Sequence, residues 1–163
     1  MLSLITEIYN RLLLPLWNYT SPRKTLYITS HDRHRELSPS PDLLYDLRCV
    51  PNPPKDRREM HTGQSYQVRD GLMQEPKFRE LLQQAGEEIR GAMQAAEEME
   101  EGENGERTVR VGCLCGSGHH RSVAFSEHLA EMEWPEGWAV ELQHRDLGPE
   151  VKMEKLRERE RRR

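Results

Sequence analysis

The sequence predicts one α/β domain, built on a mainly parallel central sheet of about four strands flanked by helices. Two observations support this prediction. Short segments rich in β-forming residues alternate with long helical patterns, and 163 residues is a length that suits one domain. Because ligands on parallel sheets bind at the carboxyl ends of strands, function is expected in segments 30–35, 46–65 and 112–122.

Four segments have the composition of strands. In chain order they are residues 26–29, 43–47, 108–111 and 138–142. The first is rich in β-formers and is followed by the polar run 31–35. The second is nearly all apolar, as a strand buried on both faces would be.

The clearest helical periodicity extends from Pro76 to Met99, where apolar residues recur at intervals of three and four. A second helix is predicted from about His119 to Met132. Residues 1–23 predict an amphipathic helix that packs on the body, with a peripheral anchor as the minor alternative. The α/β domain is assigned to residues 24–148, and residues 149–163 to a charged tail that is either a solvated helix or disordered.

Composition argues against several classes of function. No apolar run approaches the roughly 20 residues that span a bilayer, so no membrane partner is expected. The net charge of -4 provides no overall basic field for nucleic acid. Three cysteines form no disulfide framework, which favours a reducing, cytoplasmic location. No cofactor is expected.

The segment from Gly112 to Ser122 is the strongest functional signal. A glycine-rich loop between a strand and a helix directs backbone N–H groups and a positive helix end towards one point, which predicts an anion site for phosphate. Arg121 can donate two parallel hydrogen bonds to a phosphate, and the histidines add donors that strengthen on protonation. The candidate contacts in this segment are Cys113, Cys115, Gly116, Ser117, Gly118, His119, His120, Arg121 and Ser122.

The same loop supports an enzymatic alternative. Five residues separate Cys115 from Arg121, and a serine follows, as in the phosphate loop of cysteine-dependent phosphatases. Such an enzyme needs an acid from another loop, for which Asp32, Asp46 and Asp56 are candidates. A small buried thiol beside a passive anion site is the competing interpretation.

A zinc site is a weaker hypothesis. Cys113, Cys115, His119 and His120 are ligands of the right type. Cys113 and Cys115 are only two positions apart, which is too close for an ordinary four-ligand site. No metal is therefore expected.

Four motifs occur in order along the chain. They are Asp46-Leu47-Arg48-Cys49-Val50-Pro51-Asn52-Pro53, then Thr62-Gly63 with Val68, then Gly112-Cys113 with Gly118 and His120-Arg121-Ser122-Val123-Ala124, and last His144-Arg145-Asp146-Leu147. Over about residues 25–147 this combination resembles the C-terminal domain of the bacterial RNase adapter protein RapZ. The resemblance implies an α/β domain that binds glucosamine-6-phosphate, a phosphorylated amino sugar, contacts small RNA and a ribonuclease, and self-associates.

The resemblance also implies a pocket. Its residues are Asp46, Arg48, Asn52, the loop cysteine, Gly118, His120, Arg121 and Ser122. The loop has two residues more than the family motif, so either Cys113 or Cys115 can match the family cysteine. Pro54 stands where bacterial members often have histidine. The chain is expected to be a stand-alone version without the N-terminal P-loop nucleotide-binding domain.

Three functional hypotheses follow: a module that binds or senses a phosphorylated metabolite, a phosphatase-like enzyme, and an RNA-binding adapter. The adapter role is a regulatory partnership, which family membership by itself does not carry over. Asp46 and Arg48 either contact the ligand or form an ion pair at the end of the sheet. The basic residues of 31–35 and 55–58 either are solvated, rim the anion pocket or meet RNA phosphates.

Overall fold

A computed structural model describes residues 24–99 and 105–163, so the helix predicted over residues 1–23 lies outside the described part of the chain. Within that part, four strands form one sheet in the order β2-β3-β1-β4. They are β1 (Lys24–Asp32), β2 (Leu43–Asp46), β3 (Arg107–Cys115) and β4 (Trp138–His144). Every neighbouring pair is parallel, which confirms the predicted fold class.

Helices connect the strands. They are α1 (Lys55–Met60), α2 (Tyr66–Met73), α3 (Pro76–Glu98), α4 (Arg121–Ala130) and α5 (Pro149–Arg161), with a 3₁₀ turn at Leu47–Cys49. The predicted helix beginning at Pro76 is confirmed, and its proline occupies the first turn. The charged tail contains a helix, α5, none of whose residues is buried.

The core lies between one face of the sheet and the helices α3 and α4. Leu26 of β1 is in register with Val109 of β3, so alternate residues of neighbouring strands contribute to the same apolar layer. Phe78 of α3 and Phe125 of α4 meet edge to face above this layer, with ring centroids 5.5 Å apart. This packing holds the N-terminal end of α4 at the carboxyl edge of the sheet.

Strand β2 differs from its prediction. It pairs with β3 alone, so it is an edge strand, and Leu44 is 54% exposed. The expectation of burial on both faces was therefore wrong. The apolar run reflects two buried side chains, Tyr45 in the strand and Leu47 in the turn after it, and a leucine, Leu44, that packs over Gly112.

Strand β3 is longer than predicted, because Gly112 to Cys115 continue the strand instead of opening the loop. A Cβ atom on Gly112 would lie 2.8 Å from the Leu44 side chain, so this glycine permits close packing within the sheet. The glycine-rich loop is therefore reduced to residues 116–120.

The polar connection 50–65 contains α1, and α2 follows as a helix that the sequence pattern did not predict. None of the helices within residues 24–99 and 105–163 combines the length and the apolar composition of a membrane span.

Candidate functional site

The carboxyl ends of the parallel strands meet at one edge of the sheet, as expected, and a cleft of about 300 Å³ opens there. The loop between β3 and α4 forms one side, and the connection after β2 forms the other. The residues that line the cleft are Asn52, Arg58, Cys115, Gly116, Ser117, His119, His120 and Arg121.

The loop owes its shape to two glycines. Gly118 has a φ of 71°, and a Cβ atom there would lie 2.8 Å from the backbone nitrogen of Asp32 at the end of β1. Gly63 packs against the start of α4, where a Cβ atom would lie 2.2 Å from the carbonyl oxygen of His120. Its N–H donates to the carbonyl oxygen of His119 over 2.8 Å. Through these two close contacts the loop packs tightly between β1 and the connection that precedes α2.

A network of charged side chains from β1 and from the segment after β4 packs against the loop at Gly118. Asp146 accepts from the backbone N–H of Asp32 over 2.7 Å, and Arg145 forms an ion pair with Asp32 at 2.9 Å. The same guanidinium pairs with Asp146. The motif at residues 144–147 thus connects the ends of β1 and β4. Gly118 packs against this connection, in contact with both Asp32 and Asp146.

Arg121 is the central cation of the cleft. It occupies the first turn of α4 and is only 8% exposed. Its Nη1 atom donates to the Val50 carbonyl over 2.6 Å and makes a longer contact of 3.4 Å with the Arg48 carbonyl. These contacts aim the guanidinium, and its Nη2 atom lies 4.0 Å from the Cβ position of Gly116 in the loop.

No carboxylate in the described part of the chain forms an ion pair with Arg121. The pKa of Asp46 is lowered mainly by its side-chain hydrogen bond with Arg48. The charge of Arg121 also lowers this pKa, but it is the smallest of the causes. No side chain caps α4, so N–H groups of its first turn remain available at the same place. A buried cation beside the positive end of a helix is electrostatically costly unless an anion binds there.

The two histidines of the loop are neutral at pH 7. Burial, and then the charge of Lys155, lowers the pKa of His120 to about 4. The same two causes, in the same order, lower the pKa of His119. Neutral His120 donates from Nε2 to the Arg58 carbonyl over 3.0 Å. The stronger hydrogen bonds to phosphate that were predicted for protonated histidines are therefore not expected near neutral pH.

The cysteines have different environments. Cys115 lines the cleft although it is only 2% exposed, and its Sγ lies 3.1 Å from the buried hydroxyl of Ser122. Cys113 is packed inside the core, where burial raises the pKa of its thiol to about 12. The structure therefore brings Cys115 to Arg121 and leaves Cys113 outside the cleft.

Asp46 and Arg48 pair with one another. The Arg48 Nη2 atom lies 2.6 Å from Asp46 Oδ2, and Nε donates to Oδ1 over 2.9 Å. This pairing is the first cause of the lowered pKa of Asp46. Neither side chain lines the cleft, whereas Asn52, from the same motif, does. The pair lies at the end of β2 and helps to position the Arg48 backbone, whose carbonyl oxygen Arg121 contacts.

A catalytic acid and a zinc site find less support in the geometry. Asp32 is held by Arg145 and by the backbone N–H groups of His34 and Arg35, and its pKa is lowered, so it is ionised near neutral pH. The described residues contain no group of three side chains placed to hold a metal ion, and the candidate zinc ligands do not converge.

Two basic residues of the site were not among the predicted contacts. Arg58 belonged to a basic set expected to be solvated, to rim the anion pocket or to meet RNA phosphates, and the structure places it in the lining of the cleft. Lys155 of α5 approaches the same wall, and its Nζ donates to the Arg58 carbonyl over 2.7 Å. The basic cluster 55–58 was a usable signal for Arg58, but nothing in the charged tail distinguishes Lys155.

Together, the fold and the cleft define a parallel α/β domain with a basic strand–loop–helix site. The chain belongs to the RapZ C-terminal domain family, whose model matches residues 24–148. This family assignment confirms the resemblance carried by the four motifs.

Several nucleotide-binding proteins are similar to this chain. The one from Mycolicibacterium vanbaalenii is 34% identical over 110 residues, which are 67% of this chain and 33% of that protein. The one from Pseudomonas savastanoi is 29% identical over 142 residues, 86% of this chain and 48% of that protein. The one from Thermobifida fusca is 39% identical over 111 residues, 67% of this chain and 36% of that protein. The chain spans between a third and half the length of these curated relatives.

Proposed function

We propose that this domain binds a phosphorylated small molecule in the cleft between the Cys115–Arg121 loop and Asn52. The observation that carries the proposal is the placement of Arg121, a buried guanidinium at an uncapped helix N-terminus, without a carboxylate partner among the described residues. Phosphate is the anion that matches a forked guanidinium and converging backbone N–H groups. The cleft volume of about 300 Å³ is at the lower end of the usual range for small-ligand sites.

Glucosamine-6-phosphate is the ligand that the family resemblance implies, and it is the first to test. In this proposal Arg121 and the loop hold the phosphate, while Asn52 and the neutral His120 face the rest of the molecule. The nucleotide binding named for the relatives does not enter the proposal, because the chain aligns with at most about half of each of them.

The test is a calorimetric titration of glucosamine-6-phosphate and of inorganic phosphate. Arg121→Lys keeps the charge but loses the fork and the bond to Val50, so both ligands should bind about tenfold to a hundredfold more weakly. Arg110→Lys is the matched control, since Arg110 lies over the Tyr27 ring and does not line the cleft. Equal affinities for Arg121→Lys and the control would contradict the proposal, provided that circular dichroism shows both variants folded.

A cysteine-dependent phosphatase is the second candidate. It is favoured by Cys115 at the end of β3 with Arg121 six positions later, both lining one cleft. It lacks an evident acid among its three candidates, because Asp32 and Asp46 are engaged by arginines that help to lower their pKa values, and Asp56 does not line the cleft. Rapid alkylation of Cys115 near pH 6 that phosphate suppresses would favour the enzyme over the binding module.

Further properties implied by the resemblance also belong to this proposal. They are RNA contact and self-association. The cytoplasmic location favoured by the low cysteine count belongs to the proposal as well. RNA contact is tested by salt dependence, because each phosphate contact to a single strand contributes roughly 0.7 to the slope of log affinity against log salt. An absence of RNA binding at low salt would remove the adapter role and leave the metabolite site untouched.

A further inference from the structure

Helix α5 lies outside the part of the chain that the family model matches. The match ends at residue 148, and α5 extends from Pro149 to Arg161. The helix nevertheless packs against α1 and reaches the wall of the phosphate cleft. Any role it has in the cleft is therefore additional to the family motifs.

The connection between α5 and the cleft is one shared carbonyl oxygen. The Arg58 carbonyl accepts from Lys155 Nζ over 2.7 Å and from His120 Nε2 over 3.0 Å. Arg58 and His120 both line the cleft. Lys155 therefore contacts the wall that Arg58 and His120 form. Through the shared carbonyl it links α5 to α1 and to the start of α4.

The attachment of α5 is polar. Arg162, just beyond the helix, pairs with Glu59 of α1 and also with Glu158. No residue of α5 is buried, so apolar packing contributes little to holding the helix in place. A helix held in this way responds to the charges around it and can be altered by single substitutions without disturbing the core.

The ammonium group of Lys155 acts on the cleft electrostatically. After burial, it is the largest cause of the lowered pKa of both His119 and His120. The other titratable groups acting on His119 are Asp146 and Glu154, and those acting on His120 are Arg58 and His119. Lys155 is thus a positive charge close to where the phosphate is proposed to bind.

We propose that α5 is a part of the anion site, in which Lys155 positions the Arg58–His120 wall and strengthens the binding of phosphate. This inference rests on the proposed function and extends it to a residue beyond the family region. Lys155 is a positioning residue, since its bond is to the wall and it does not line the cleft.

The experiment compares Lys155→Met with Lys152→Met, titrating the full chain with inorganic phosphate. Lys152 is an exposed lysine on the same helix, so both variants lose one charge from α5. Lys155→Met should bind phosphate roughly threefold to tenfold more weakly, as expected for one partly screened charge. Lys152→Met should match the unmodified chain, and Lys155→Arg should restore most of the affinity.

A second measurement separates this role from a general loss of structure. Nuclear magnetic resonance titration should show the pKa values of His119 and His120 rising in Lys155→Met and unchanged in Lys152→Met. If Lys155→Met and Lys152→Met have equal affinities, the inference is wrong while the phosphate site stands. If the unmodified chain binds neither phosphate nor the sugar phosphate, the proposed function fails, and this inference fails with it.

Discussion

The glycine at position 118 provides the sharpest test of how the loop is built. Alanine there would have to adopt a φ of 71°, which costs about 1 kcal/mol for a residue with a Cβ atom. Its Cβ would also lie 2.8 Å from the Asp32 nitrogen and 3.0 Å from the His31 carbonyl carbon, both of them backbone atoms. Forcing such an overlap costs about 2 kcal/mol more, so Gly118→Ala should lower the free energy of unfolding by about 3 kcal/mol.

Two other glycines serve as controls for this experiment. Gly137 has a φ of 86° but no atom within 4 Å of its Cβ position, so Gly137→Ala isolates the backbone strain and should cost about 1 kcal/mol. Gly91, inside α3, has open space at its Cβ position, so Gly91→Ala should stabilise the protein by roughly 0.5–1 kcal/mol. The assay is urea unfolding followed by circular dichroism. If Gly118→Ala costs no more than Gly137→Ala, the loop is not wedged against β1.

The remaining predictions concern His120 and the cysteines. The pKa of His120 in the folded protein is about 4, against an ordinary value of 6.5. The neutral ring therefore contributes its full stabilisation of the folded state above about pH 6.5, and this contribution is lost as the pH falls towards 4. Between pH 7 and pH 5 the protein should therefore lose about 2 kcal/mol more unfolding free energy than His120→Gln, measured by urea unfolding; parallel losses would show that His120 is not responsible. Iodoacetamide at pH 8 should modify exposed Cys49 first, and mass spectrometry should find Cys113 unmodified while the protein is folded. Early modification of Cys113 would contradict its place in the core.

The elements that the sequence predicted well are those whose signal is local. Strand β1, strand β4 and helix α3 each show their composition or apolar period within their own residues, and α3 ends one residue before the predicted Met99. Helix α2 was missed because it buries only Val68 and Leu72, which is too few for a recognisable period.

The end of β3 was misassigned for a different reason. Glycine is the usual signal for a loop, but Gly112 is required where Leu37, Pro41 and Leu44 pack closely over the strand. Such a contact depends on residues about 70 positions away in the sequence. The pattern around Gly112 could not distinguish a turn from a close approach between packed segments.

The sequence by itself determined the fold class, the family and the loop that carries Arg121, because strand composition, motif order and residue type are all local properties. Only the tertiary structure decided which groups share the cleft. It buried Cys113 and left Cys115 at the cleft, joined Asp46 to Arg48, and brought Lys155 to the carbonyl of Arg58. The burial of Cys113 and the contact of Lys155 with Arg58 depend on segments distant in the chain, which the spacing of one motif does not encode. The Asp46–Arg48 pair is local, but whether these side chains bind each other or a ligand depends on their position relative to the cleft.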